Sequence, residues 1–86
     1  MKKAKPKKIR PRSVSSVDKY IGARMREERL ARNISLIQLS KELGVSFQQI
    51  QKYENGKNRV SAGRLFDICK VLKVSVSSMF ERDPRA

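Results

Sequence analysis

The sequence predicts an all-α fold, and three observations carry that expectation. Serines suited to N-capping recur ahead of segments with helix-compatible apolar spacing, at Ser15, Ser35, Ser46, Ser61 and Ser75. Asparagine or glycine follows three of these segments, at Asn33, Gly44 and Asn55-Gly56, where a helix can end in a left-handed turn. No stretch sustains strand alternation, and the Asn-Gly pair does not sit between two strand-like runs.

The first helix is expected from Val17, with Ser15 and Asp18 as a capping box, Ile21, Met25 and Leu30 as its apolar set, and Asn33 as its stop. Ser35 and Gln38 form a second capping box, opening a helix of Leu36, Leu39 and Leu43 that ends at Gly44. Ser46 and Gln49 form a third, opening a helix whose Ile50 and Tyr53 point inward. Ser61 caps a fourth helix, where Leu65, Ile68, Cys69 and Leu72 fall at i, i+3, i+4 and i+7. Ser75 caps a short fifth through Met79 and Phe80, before Asp83-Pro84 ends regular structure. Residues 1–16 read as a disordered basic N-terminal arm, 17–82 as the folded domain and 83–86 as a tail.

Eighty-six residues suffice for one domain with a modest core, which leaves little room for an elaborate catalytic cleft. The 21 basic residues outnumber the 8 acidic ones to give +13, so the natural partner is a polyanion. Seven of those bases (Lys2, Lys3, Lys5, Lys7, Lys8, Arg10 and Arg12) lie in the arm. The other 14 face all 8 acids, so the body is basic by itself at +6. One cysteine and no histidine exclude a disulfide framework, a zinc cluster and the usual nucleophile–base pairs. Neither an enzyme, a cofactor nor a small-molecule ligand is expected, and Cys69 reads as a buried structural thiol. With no apolar leader behind the basic start and no membrane-length apolar run, the expected location is the bacterial cytoplasm, at the nucleoid.

Function enters at the corner between the second and third helices. Gly44-Val45-Ser46 joins two short helices tightly, with Val45 plugging the corner and the small Ser40 allowing a close crossing. That is the geometry of a helix-turn-helix, whose second helix enters the DNA major groove. With Ile50 and Tyr53 inside, the outer stripe holds Phe47, Gln48, Gln51, Lys52 and Asn55. Glutamine suits a bidentate contact with adenine, and phenylalanine can meet a thymine methyl. Ser35 and Ser46 open helices whose free N–H groups attract phosphate, and Lys57, Asn58 and Arg59 crowd the exit of the third helix. The arm, with Lys7, Lys8, Arg10 and Arg12, has three open readings: a DNA arm, a solvating segment or an anchor for acidic membranes. No apolar face or lipidation motif supports the last.

Residues 21 to 80 resemble the Cro/C1-type (XRE family) helix-turn-helix of phage repressors and small bacterial regulators. The resemblance rests on Leu39-Ser40-Lys41-Glu42-Leu43-Gly44-Val45-Ser46, on Ile50 with Tyr53-Glu54-Asn55-Gly56, and on Leu72-Lys73-Val74-Ser75-Val76 with Met79-Phe80. The stretch from Phe47 to Gly56 with Asn58-Arg59-Val60 is similar to an alphaproteobacterial subgroup. It implies a five-helix, lambda-repressor-like domain, transcriptional control and frequently a homodimer. Leu36 and Phe47 stand where the family often has polar residues, so base preference does not transfer. Arg29 lies on the inward side of the first helix and Glu54 on that of the third, which predicts a partly buried salt bridge that family members similarly form.

Val76, Met79 and Phe80 either close the core or extend into a two-fold interface. A dimer would bind half-sites about 10 bp apart. The leading expectation is a sequence-specific regulator of double-stranded DNA, a repressor on a palindromic operator, controlled by its concentration or by a regulatory protein partner. Two alternatives stand beside it: a protein-interaction module of the same fold acting as an anti-activator, and a non-specific nucleic-acid-binding protein.

Overall fold

A computed structural model describes residues 15–81. Four α-helices, α1 (Ser16–Ala31), α2 (Leu36–Leu43), α3 (Phe47–Glu54) and α4 (Ala62–Leu72), are followed by one 3₁₀ turn, Ser77–Phe80. No strand occurs among the described residues. The expected arm lies outside them as far as position 14, while Ser15 caps α1 and Ser16 is its first residue.

Local chemistry sets the helix starts. At α1 the Ser15 hydroxyl accepts from Asp18 N at 3.2 Å and the Asp18 carboxylate accepts from Ser15 N at 2.8 Å. Ser35 and Gln38 make the same reciprocal pair at α2, at 3.0 and 2.8 Å. The third box is only half formed. Ser46 Oγ accepts from Gln49 N at 3.1 Å, and no return bond from the Gln49 side chain reaches the cap. Ser61 caps α4 by accepting from Arg64 N at 3.1 Å.

Two further expectations are corrected. Leu30, expected in the apolar set of α1, is 50 % exposed. Nine residues beyond Ile21 is half a revolution out of phase at 3.6 residues per turn, and the inward stripe runs Ile21, Met25, Arg29 instead. The fifth α-helix is a single 3₁₀ turn. Ser75 Oγ accepts from Ser78 N at 3.2 Å and Ser78 Oγ donates to Ser75 O at 2.8 Å, so hydroxyls hold the backbone in i→i+3 geometry.

At the corner, Gly44 sits at φ 72° and ψ 28°, and both Gly44 N and Val45 N donate to Ser40 O, at 2.8 and 3.1 Å. Ser40 is buried, and Val45 packs against the core. That core centres on Met25, Leu39, Ile50, Ile68, Leu72 and Met79, all fully buried. Each such side chain contributes about 1.5–3 kcal/mol relative to exposure. Cys69 is buried in the same cluster, and burial pushes its thiol pKa up, away from the reactive thiolate.

Candidate nucleic-acid interface

The eight residues of α3 divide into a side held by the fold and a side left free. On the held side, Ile50, Tyr53 and Glu54 are buried. Arg29 meets Glu54 in a two-pronged pair, with Nε donating to Oε2 at 2.7 Å and Nη2 to Oε1 at 3.0 Å. Its third prong, Nη1, donates to Ile34 O at 2.8 Å, tying in the loop that leads to α2. Both side chains are almost fully covered, and no buried side-chain polar atom among the described residues lacks a partner. A buried pair is tolerable on those terms.

On the free side, Phe47, Gln48, Gln51, Lys52 and Asn55 are all exposed. The side chains of Gln48, Gln51, Lys52 and Asn55 form no hydrogen bond or ion pair among the described residues. Between Glu42 and Asp67 the only acid is Glu54, and its charge is spent inward on Arg29. The outer face of α3 is therefore cationic and supplied with amide donors and acceptors. Phe47 is 38 % exposed at its leading end.

The two ends of α3 frame that face. At the start, the Ser46 hydroxyl takes the Gln49 N–H, and helical geometry leaves the first amides of α3 without an intrahelical acceptor. At the start of α2 the Ser35 hydroxyl likewise takes the Gln38 N–H. At the exit, Lys57 N and Asn58 N both donate to Lys52 O, at 2.8 and 3.3 Å, folding the loop back on the helix. Lys57 and Arg59 are exposed there and Asn58 is half-buried. Met79 is fully buried against the core, whereas Val76 and Phe80 are 38 % and 47 % exposed. Lys7, Lys8, Arg10 and Arg12 lie outside the described residues.

Two features escaped the sequence reading. Arg24 bonds Glu27 and Glu28 at 2.9 and 3.0 Å and donates to Ser78 O at 3.0 Å, while Arg32 pairs with Glu28 from the next turn. The i, i+3 and i, i+4 charge spacing was there to be read. Gly22 of α1 is buried where a Cβ would stand 2.1 Å from Tyr53 O of α3. Its signal was a glycine inside a helical pattern, where helix propensity argues against one. No group of acidic, cysteine or histidine side chains suited to a metal ion occurs among the described residues, and no described helix is long and apolar enough to cross a membrane.

Residues 25–78 match the family model described as helix-turn-helix. An uncharacterised transcriptional regulator in the ATPase CF(0) region of Rhodospirillum rubrum is 49 % identical over 78 residues, 86 % of this chain and 72 % of that protein. An uncharacterised HTH-type regulator of Sinorhizobium fredii is 50 % identical over 70 residues, 81 % of this chain and 49 % of its own length. The chain thus spans about half of that relative. The clp gene regulator ClgR of Corynebacterium glutamicum superposes with TM-score 0.73 at 26 % identity, covering 76 % of this chain and 84 % of that one. SinR of Bacillus subtilis, a master regulator for biofilm formation solved in complex with DNA, superposes with TM-score 0.65 at 27 % identity, covering 71 % and 98 %.

Proposed function

The chain belongs to the XRE-type helix-turn-helix family of DNA-binding transcriptional regulators, and from that premise we propose that it is a repressor, not an enzyme, that occupies a palindromic operator as a homodimer. The observation that carries this reading is the two-sided α3. Its inner side is locked by Ile50 and the Arg29–Glu54 pair, while Gln48, Gln51, Lys52 and Asn55 stand outward with no intramolecular partner among the described residues.

In this reading α3 lies in the major groove, where Gln48 and Gln51 read base edges, Phe47 meets a thymine methyl, and Lys52 and Asn55 complete the stripe. The amides behind Ser35 and Ser46, together with Lys57, Asn58 and Arg59, hold phosphates and set the register without reading sequence. The basic arm adds further phosphate contacts through Lys7, Lys8, Arg10 and Arg12. SinR, solved in complex with DNA, supports DNA as the partner. For the homodimer, Val76 and Phe80 offer exposed apolar surface, and Met79 braces them from the core. Its place is the cytoplasm, and its level or a protein partner sets its activity.

Selection of bound sites from random duplex DNA at two salt concentrations tests the proposal. The expected product is an inverted repeat with half-site centres about 10 bp apart. On that site Gln51→Ala costs about 1–3 kcal/mol and little on random DNA, whereas Lys57→Ala weakens all DNA alike. A selection that enriches no motif at either salt, with binding that follows charge alone, would refute it.

A further inference from the structure

We propose that Gly22, on α1 and remote from the reading face, is a positioning residue that sets the angle at which α3 meets DNA; this rests on the DNA-reading role proposed above. A Cβ at Gly22 would stand 2.1 Å from Tyr53 O and 3.1 Å from Glu54 O, so the backbone of α1 lies directly against the last turn of α3. Arg29, seven residues further along the same inward stripe, grips that turn again through the Glu54 carboxylate. Lateral distance is set at one point and register at the other.

The obstruction is backbone rather than a flexible side-chain tip, so an added methyl cannot be absorbed by a rotamer change. Restoring ordinary contact demands an opening of about 1.3 Å or more. Binding constellations tolerate only about 0.5 Å of misplacement, so that shift is large enough to matter. It falls on the turn that follows Gln51 and Lys52 and precedes Asn55, tilting the rear of the reading stripe while its front stays on the Ser46 cap. Backbone phosphate contacts carry no sequence information, so the random-duplex affinity that rests on them survives. Helix propensity taken alone makes alanine the better residue at position 22, so the two physical effects pull in opposite directions.

The test compares the whole chain with Gly22→Ala, and with Gly63→Ala as a control. Gly63 is also helical, but a Cβ there meets nothing within 4 Å. Affinities for the selected site and for random duplex are read at a temperature where circular dichroism shows each protein folded. If Gly22→Ala is unfolded in buffer, the same pair is read in trimethylamine N-oxide, which favours burial. Expected for Gly22→Ala is a loss of about tenfold or more on the selected site, with random-duplex affinity within about twofold and the control unchanged. A residue that served stability alone would leave the ratio of the two affinities intact, and an intact ratio in folded Gly22→Ala overturns the proposal. So does a variant that stays unfolded in the osmolyte, since it makes Gly22 a folding residue first. Equal binding of both duplexes by the wild type overturns the DNA-reading premise itself, and the proposal with it.

Discussion

Helix α1 carries two ion clusters that look alike in sequence and do different work. Arg29 reaches across to Glu54 of α3 and to the Ile34 carbonyl, with both charged side chains buried. Arg24, Glu27, Glu28 and Arg32 pair along α1 itself, and only the bond from Arg24 to the Ser78 carbonyl leaves the helix. The first cluster fixes where α3 lies. The second stiffens α1 and pins the last turn, behind Val76 and Phe80. Environment, not residue type, separates them: a fully desolvated pair has no water to replace a lost partner, whereas the half-buried Arg24 and Glu28 and the exposed Glu27 and Arg32 keep some.

That contrast breaks most visibly at Glu54. Glu54→Ala leaves the Arg29 guanidinium buried and unpaired, and an expected loss of about 3–5 kcal/mol in urea unfolding would consume much of the stability of a domain this small. Replacing both partners, as Arg29→Met with Glu54→Leu, is expected to recover most of it except the bond to the Ile34 carbonyl. A single variant as stable as the wild type would erase the distinction between the clusters.

At the second cluster the expected effects shrink. Arg24→Ala removes the charged bond to Ser78 O and is expected to cost about 1–2 kcal/mol, read as a lower thermal midpoint with DNA affinity preserved below it. A loss as large as that of Glu54→Ala would show the last turn to be as deeply coupled to the core as α3 is.

The smallest effect is one of pH. The hydrogen bond from Arg32 holds the Glu28 carboxyl below its ordinary value, against an opposing push from desolvation, and Arg24 adds to the lowering. A carboxyl lowered in the folded state contributes stability above its unfolded pKa, and that contribution is lost as pH falls through its folded value. Glu28→Gln is therefore expected to lower the thermal midpoint slightly at neutral pH and to converge on the wild type in acid, as melting curves across that range would record. Parallel curves would show that the pairing carries no net stability.

Much of the geometry of the candidate site was legible because its determinants are local or periodic. Ser35, Gly44 and Ser46 act within three or four residues of themselves, so the corner and both helix starts follow from spacing. The outward stripe of α3 follows once Ile50 and Tyr53 are placed inside. Arg29 and Glu54 were readable as a pair because each is a charge in an apolar phase of its helix. Leu30 misled because apolar character was read without its angle. Gln49 has the right type and spacing for a capping box, yet its side chain does not return to Ser46.

What the sequence determined by itself was the four α-helices, the serines that cap them and most of the residues each turns inward or outward, since these depend on interactions across a single turn of backbone. Tertiary structure alone decided how near the helices come and what that nearness demands. It pressed the backbone of α1 at Gly22 against the end of α3, and drew Met79 fully into the core while leaving Phe80 half exposed. Distances between helices come from packing summed over the whole core, and no local window contains that sum.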